Sequence, residues 1–223
     1  EVCLPMLTCI CRNLSEYEAV RVDLKRAKML DVPYNPKVFA RSWEVLAGVE
    51  DNSGAVRIEL PGAKPAPAES GDDEVQVFVE NDSFHAPGKI EVDTLSPGQF
   101  ASVSKASGTE LDEPGELRSY LLQLWPEGSA DHEDPLEASV TFAHEVVGVI
   151  YSSKRLEKSD ALVGNTEFAH MDRAVSANRG LDSSGEGGDA VLLSDDKRTV
   201  NVRLQSGSDK DQLDHVRVLV ALR

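Results

Sequence analysis

No cysteine follows residue 11, and the three that occur, Cys3, Cys9 and Cys11, are spaced C-x5-C-x-C. That spacing is not a zinc-ligand pattern, and no Cys or His cluster follows to complete one. The three thiols leave open one local disulfide with a thiol left over, pairing with another chain, or three reduced cysteines. Aromatic residues are scarce at 5%, so a core of this size needs most of its rings for packing. Basic residues are outnumbered 23 to 39, giving a net charge of -16 and a pI near 4.7. This balance argues against DNA, RNA and anionic membrane as partners, because phosphate binding requires clustered Lys and Arg. No apolar run is long enough for a membrane span; Val2–Cys11 is short and interrupted. The first residue is Glu1 rather than Met, which suggests processing, with a removed signal peptide as one route.

Chemical signatures are missing too. No Gly-rich run follows a strand and opens a helix, so no dinucleotide or phosphate cradle is indicated. G-x-S-x-G is absent. His144-Glu145-Val146-Val147-Gly148 starts like a metalloprotease motif but has no second His, and the two imidazoles must sit one helical turn apart to share a metal. His144 is expected at an edge or on the surface.

What the 223 residues do contain is β pattern. A chain of this length can bury roughly 70% of its unfolded surface and needs no staples. The strongest signal runs from Ala138 to Tyr151. Val140 and Phe142 alternate with Ser139, Thr141 and Ala143, a period of two. Val146–Tyr151 is then apolar on both faces and rich in β-branched residues, as in a strand covered on both sides. Gly148 within it suggests a bulge or a close backbone approach. Leu156–Leu162 reads as a short helix or turn with Ser159-Asp160 as a cap. Further strands are expected over Val56–Leu60, Glu74–Asn81, Lys89–Thr94, Gln99–Val103 and Leu117–Trp125. Ala190–Leu193 and Thr199–Leu204 are expected to flank a hairpin turn at Ser194–Arg198, and His215–Leu222 to form the last strand.

Residues 14–49 read differently. Ser15-x-x-Glu18 is a capping box, Val20, Leu24, Ala27 and Leu30 recur at helical spacing, and Pro33 stops the run. Phe39, Trp43 and Leu46 mark a second helix ending at Gly48. The expected organisation is a helical appendage over 1–60, a Pro/Ala/Gly-rich linker over 61–73 and a β domain over 74–223. The fold class is mainly β, an antiparallel β-sandwich or jelly roll with a short N-terminal helical hairpin.

Several of these segments carry a resemblance. SYLLQLWPEG, SVTFAHEVVGVIYSSKRLEKSDALVGN, RGLDSSGEGGDAVLLSDDKRTVNVRL and DHVRVLVA resemble an uncharacterised β-rich domain of secreted bacterial proteins. The matching elements are Ser119–Leu122, Val147–Ile150, Ser159–Gly164, Arg179–Asp182, Leu193–Thr199 and Val216–Leu219, within about residues 75–222. The resemblance implies an extracytoplasmic β-sandwich and brings no catalytic residues. Two departures are a longer 169–178 stretch and no C-terminal sorting segment after Arg223.

Candidate sites are few. Asp131, Glu133 and Asp134, beside His132, either gather a Ca²⁺ ion or form a solvated acidic loop. Asp182, Glu186 and Asp189 share that status, as does Asp209–Asp214. Trp125 and Tyr151 are candidates for a sugar-stacking face, or else core. Asn13 and Asn81 open glycosylation acceptor patterns. The apolar stripe of the N-terminal helices either packs on the β domain, the reading preferred because such stripes are usually core, or meets another protein. These readings favour a non-enzymatic extracytoplasmic interaction or structural module, its helical appendage docking it to a protein partner or to itself. The alternatives are a carbohydrate-binding module, stabilised by Ca²⁺ or not, and a carboxylate-dependent hydrolase.

Overall fold

The computed structural model describes residues 48–59, 74–100, 108–112, 114–124, 135–163, 179–181, 188–205 and 214–222. The structure is mainly β. Its strands are β1 (Val49–Gly54), β2 (Val56–Ile58), β3 (Val75–His85), β4 (Ile90–Val92), β5 (Gly98–Phe100), β6 (Thr109–Leu111), β7 (Glu116–Leu124), β8 (Leu136–Phe142), β9 (Val146–Ile150), β10 (Ala190–Leu193), β11 (Thr199–Leu204) and β12 (Asp214–Ala221). One helix, α1 (Ser153–Val163), lies among the described residues. The expected helical hairpin over 14–49, apart from its last residues, and the 61–73 linker lie outside them.

Two five-stranded sheets dominate and neither closes into a barrel. Sheet A has the order β1-β8-β11-β10-β5, and sheet B the order β2-β3-β7-β12-β9; β4 and β6 form a separate pair. Pairing is antiparallel except between β2 and β3, which run parallel. The alternation in each strand explains why the sheets face one another. Ala138, Val140 and Phe142 of β8, Val200, Val202 and Leu204 of β11, and Val191 and Leu193 of β10 point from sheet A into a common core. Val75 and Val77 of β3, Tyr120, Leu122 and Leu124 of β7, and Val216, Val218 and Val220 of β12 meet them from sheet B. Tyr120 and Phe142 join the layers with ring centroids 4.6 Å apart. Buried aliphatic area of this kind is the main favourable contribution to folding.

The second faces of the sheets differ. On sheet A, Glu137, Ser139 and Thr141 point outward and are exposed or half-buried. On sheet B, the residues that alternate with the core set are buried as well: His215, Arg217 and Leu219 on β12, Ser119, Leu121 and Gln123 on β7, and Gln76 and Phe78 on β3. Helix α1 and the β4–β6 pair supply much of that cover. Ile90, Val92, Leu117, Ile150, Leu156, Val163 and Leu219 form a second apolar cluster there. Double coverage explains why β9 reads as apolar on both faces in the sequence. The expected irregularity at Gly148 is present in both forms. Leu219 pairs with Gly148 but Val220 pairs with Val146, a one-residue shift that lets Val146 and Val149 serve the same core. A Cβ on Gly148 would stand 2.8 Å from Val92 Cγ1.

Two boundaries differ from expectation. The sheets reach back to Val49, ahead of the expected linker. β1 belongs to sheet A and β2 to sheet B, so the chain changes layers within Gly54-Ala55. Ala55 N–H donates to the Glu137 carbonyl at 3.2 Å, and the Ala55 carbonyl accepts from Val75 N–H at 2.7 Å, pinning the corner to both sheets. The helix also starts earlier than expected. Ser152, not Ser159, caps it: the Ser152 carbonyl accepts from Arg155 and Leu156 N–H at 3.0 and 2.9 Å. The reason is Asp93, whose buried carboxylate takes Tyr151 and Ser152 N–H at 2.7 and 2.8 Å and pairs with Arg155, fixing the turn before α1.

Candidate functional site

The outer face of sheet A carries an open groove of about 440 Å³. Its floor follows from strand register. Ser53 of β1 lies opposite Ser139 of β8, Ser139 opposite Asn201 of β11, Asn201 opposite Leu192 of β10, and Leu192 opposite Gln99 of β5. Five side chains from five strands thus form one row at right angles to the strands. With strands roughly 4.8 Å apart, the row is roughly 19 Å long. A second row beside it places Glu137 opposite Arg203 and Arg203 opposite Ala190.

Few of these polar groups are used by the fold. Among the described residues, none bonds to the side chains of Ser53, Gln99, Glu137, Ser139 or Asn201. One row further along, by contrast, Thr141 and Thr199 close on each other, Oγ1 to Oγ1, at 2.9 Å. Glu137 and Arg203 are direct neighbours yet form no ion pair. Arg203 Nη2 donates to the Gly188 carbonyl at 3.0 Å, and its Nε has no acceptor among the described residues. Leu192, at 39% exposure, is the one exposed large apolar side chain among the described residues. The groove offers hydroxyl, amide, carboxylate and guanidinium groups around one aliphatic contact.

The covered face of sheet B holds a different constellation, which the sequence gives no hint of. Arg217 and Glu80 are both fully buried at the side chain. Arg217 Nε and Nη2 donate to the two Glu80 oxygens at 2.6 and 2.7 Å, a bidentate pair. Nη2 also donates to Asp160 at 2.7 Å, and Nη1 donates to the Leu156 carbonyl at 3.0 Å and to Ser159 Oγ. Asp160 accepts twice from Arg179 Nη2, at 2.7 and 2.8 Å, and Ser119 Oγ donates to Glu80 at 2.7 Å. Burial alone would raise the Glu80 pKa, but Arg217 and Ser119 hold it below the ordinary carboxylate value. Among the described residues the network pairs two arginines with two carboxylates and tethers α1 and residues 179–181 to sheet B. Ser119, Ser159, Asp160, Arg179 and Arg217 come from four separate segments of the chain, and the fold brings them together here.

His215 lies at the edge of this network. Its Nε2 is 3.0 Å from Gln123 Oε1, and Gln123 Nε2 donates to Gln76 Oε1 at 3.1 Å, which makes His215 Nε2 the donor. Burial first, then Arg179 and Arg217, push its pKa well below 6.5. The unfolded chain therefore binds a proton that the folded chain refuses. Stability is expected to be level above the unfolded value near 6.5 and to fall as pH drops below it, by up to about 1.4 kcal/mol per pH unit for one proton. Urea unfolding between pH 8 and 5 checks this, and His215→Gln should flatten that part of the profile.

The other residues singled out in the sequence are placed as follows. Asp131, Glu133, Asp134, Trp125, Asn13, Asp182 and Glu186 lie outside the described residues. Asp189 is buried and accepts from Gln205 N–H at 2.8 Å, and Asp214 opens β12, also buried. Among the described residues, no group of three His, Cys, Asp or Glu side chains is placed to hold a metal ion. His144 is exposed in the turn between β8 and β9. Tyr151 is core rather than a stacking surface; burial and then Asp93 push its phenol up to about 12. Asn81 Nδ2, the atom that glycosylation would modify, donates to the Val163 carbonyl at the end of α1 at 2.6 Å.

No family model, curated protein or solved structure matches the chain.

Proposed function

We propose that the chain is a non-enzymatic interaction module of the extracytoplasmic space, a two-sheet sandwich that uses the outer face of sheet A as its contact surface. The unequal treatment of the two sheets supports this. Sheet B is covered on both sides and most of its buried polar side chains bond internally, whereas sheet A carries, among the described residues, a row of polar side chains with no bonding partner in an open groove. Binding sites are concave and place a few polar groups around apolar contact. Among the described residues one carboxylate, Glu137, lines the groove, whereas glycoside hydrolysis uses two carboxyl groups flanking the bond. The extracytoplasmic setting is supported by the family resemblance.

The test is a variant of the full chain with Leu192→Asp and Asn201→Arg. Both positions are outside the core, so stability should change by less than about 1 kcal/mol. Proteins and polymers that co-purify with the wild type from its native source should be lost from the variant. Retention of the same set would remove sheet A as the contact surface.

A further inference from the structure

We infer that the groove on sheet A takes a neutral, polyhydroxylated polymer, a glycan chain lying across the strands along the row from Ser53 to Gln99. This rests on the proposed contact surface and adds its ligand.

The chemistry of the row selects the ligand. Ser53, Ser139, Asn201 and Gln99 are uncharged, and each offers both hydrogen-bond donors and acceptors. A hydroxyl is likewise donor and acceptor, so a chain of sugar rings can satisfy such groups at every strand without needing one orientation. Glu137 and Arg203 add one charge of each sign. They stand side by side without pairing; Arg203 Nη2 is held by the Gly188 carbonyl and its Nε is buried, so the Glu137 carboxylate is the charged group left as an acceptor for ring hydroxyls. Leu192, in the middle of the row, gives the C–H face of a ring an aliphatic surface to cover.

The same features disfavour other polymers. A polyanion would meet Glu137 and a chain of net charge -16, with one arginine among the described lining residues to answer it. An extended peptide gains most from adding a strand at a sheet edge, where backbone groups are unpaired. The row instead crosses the middle of the sheet, where β8, β11 and β10 are paired on both sides, and presents side chains only.

Affinity electrophoresis and titration calorimetry of the full chain test this. Soluble xylan, mannan and mixed-linkage β-glucan are the probes, with polygalacturonate as the anionic control and a random hexapeptide pool as the peptide control. At least one neutral glycan should bind. Asn201→Ala and Gln99→Ala should each weaken it about fivefold, the effect of about one lost hydrogen bond, while Thr141→Ala, one row away, leaves it unchanged. The inference is overturned if no neutral glycan binds, if polygalacturonate or the peptide pool binds in its place, or if both row variants bind as the wild type does. Loss of native partners from the Leu192→Asp, Asn201→Arg variant alongside silence of the glycan panel would remove the glycan and keep the contact surface. Retained partners with a silent panel would remove both.

Discussion

Glu80→Gln is expected to lower folding stability by about 3–5 kcal/mol, the cost of leaving a buried charge without its partner. Arg217 would keep Asp160 at 2.7 Å, but of its two bonds to Glu80 only the one to the remaining amide oxygen could persist, and the new NH2 would face a guanidinium N–H. Asp160 is already shared with Arg179, so Arg217 would lean on a carboxylate that another arginine also uses. Chemical denaturation of wild type and variant measures the loss. A double variant, Glu80→Leu with Arg217→Met, distinguishes charge from packing. Removing both ions takes away the desolvation cost together with the attraction, so the double variant should be more stable than Glu80→Gln. A loss under about 1 kcal/mol for the single variant would mean that the pair contributes little. The acid profile gives a second check. The Glu80 pKa is depressed in the folded protein, so its stabilising contribution is present above the ordinary carboxylate range and disappears as pH falls through the folded value. Glu80→Gln should remove that part of the acid sensitivity.

Gly54→Ala is expected to cost about 2–5 kcal/mol. Gly54 has φ of 83°, a left-handed conformation that costs a residue with a Cβ about 1–2 kcal/mol. The added Cβ would also stand 2.3 Å from the Glu137 carbonyl oxygen, a backbone atom of the neighbouring strand that cannot swing away, and such overpacking adds about 1–3 kcal/mol. Gly88→Ala, where nothing lies within 4 Å of the added atom, is the matched control and should stay within about 0.5 kcal/mol. The midpoint of urea unfolding should shift for Gly54→Ala with its slope unchanged. Equal midpoints for the two variants would show that the corner yields easily.

Local pattern explains which parts of this architecture were legible in the sequence. β10 and β11 lie where they were expected, at Ala190–Leu193 and Thr199–Leu204, because clean alternation and a polar turn are local signals. β3, β7 and β12 were visible for the same reason. β1 was not, since VEDNSG buries only Val49 and has no alternating apolar face. β6 has three residues, none of them buried. Pairing partners are a long-range property. Nothing local says that β2 runs parallel to β3, or that Ser53, Ser139, Asn201, Leu192 and Gln99 fall on one line. The buried network was hidden by the same alternation that revealed its strands. Glu80 and Arg217 occupy the polar phase of VQVFVEN and HVRVLVA, which signals solvent on a half-buried sheet. They are 137 residues apart in the chain, and only the cover supplied by α1 turns that polar phase inward. The helix cap was misplaced because its anchor, Asp93, is 60 positions before Ser153 and lies outside any capping window.

The unequal coverage of the two sheets gives their positions unequal freedom to vary. A residue on β12 answers to neighbours above and below it, so nearly every exchange there disturbs packing or charge balance. On the outward side of β8, β11 and β5, at Ser139, Asn201 and Gln99, no described residue bonds to the side chain, so a new one disturbs fewer partners. That side is the natural place to randomise when grafting a new specificity, and the scaffold beneath it should survive such libraries largely intact.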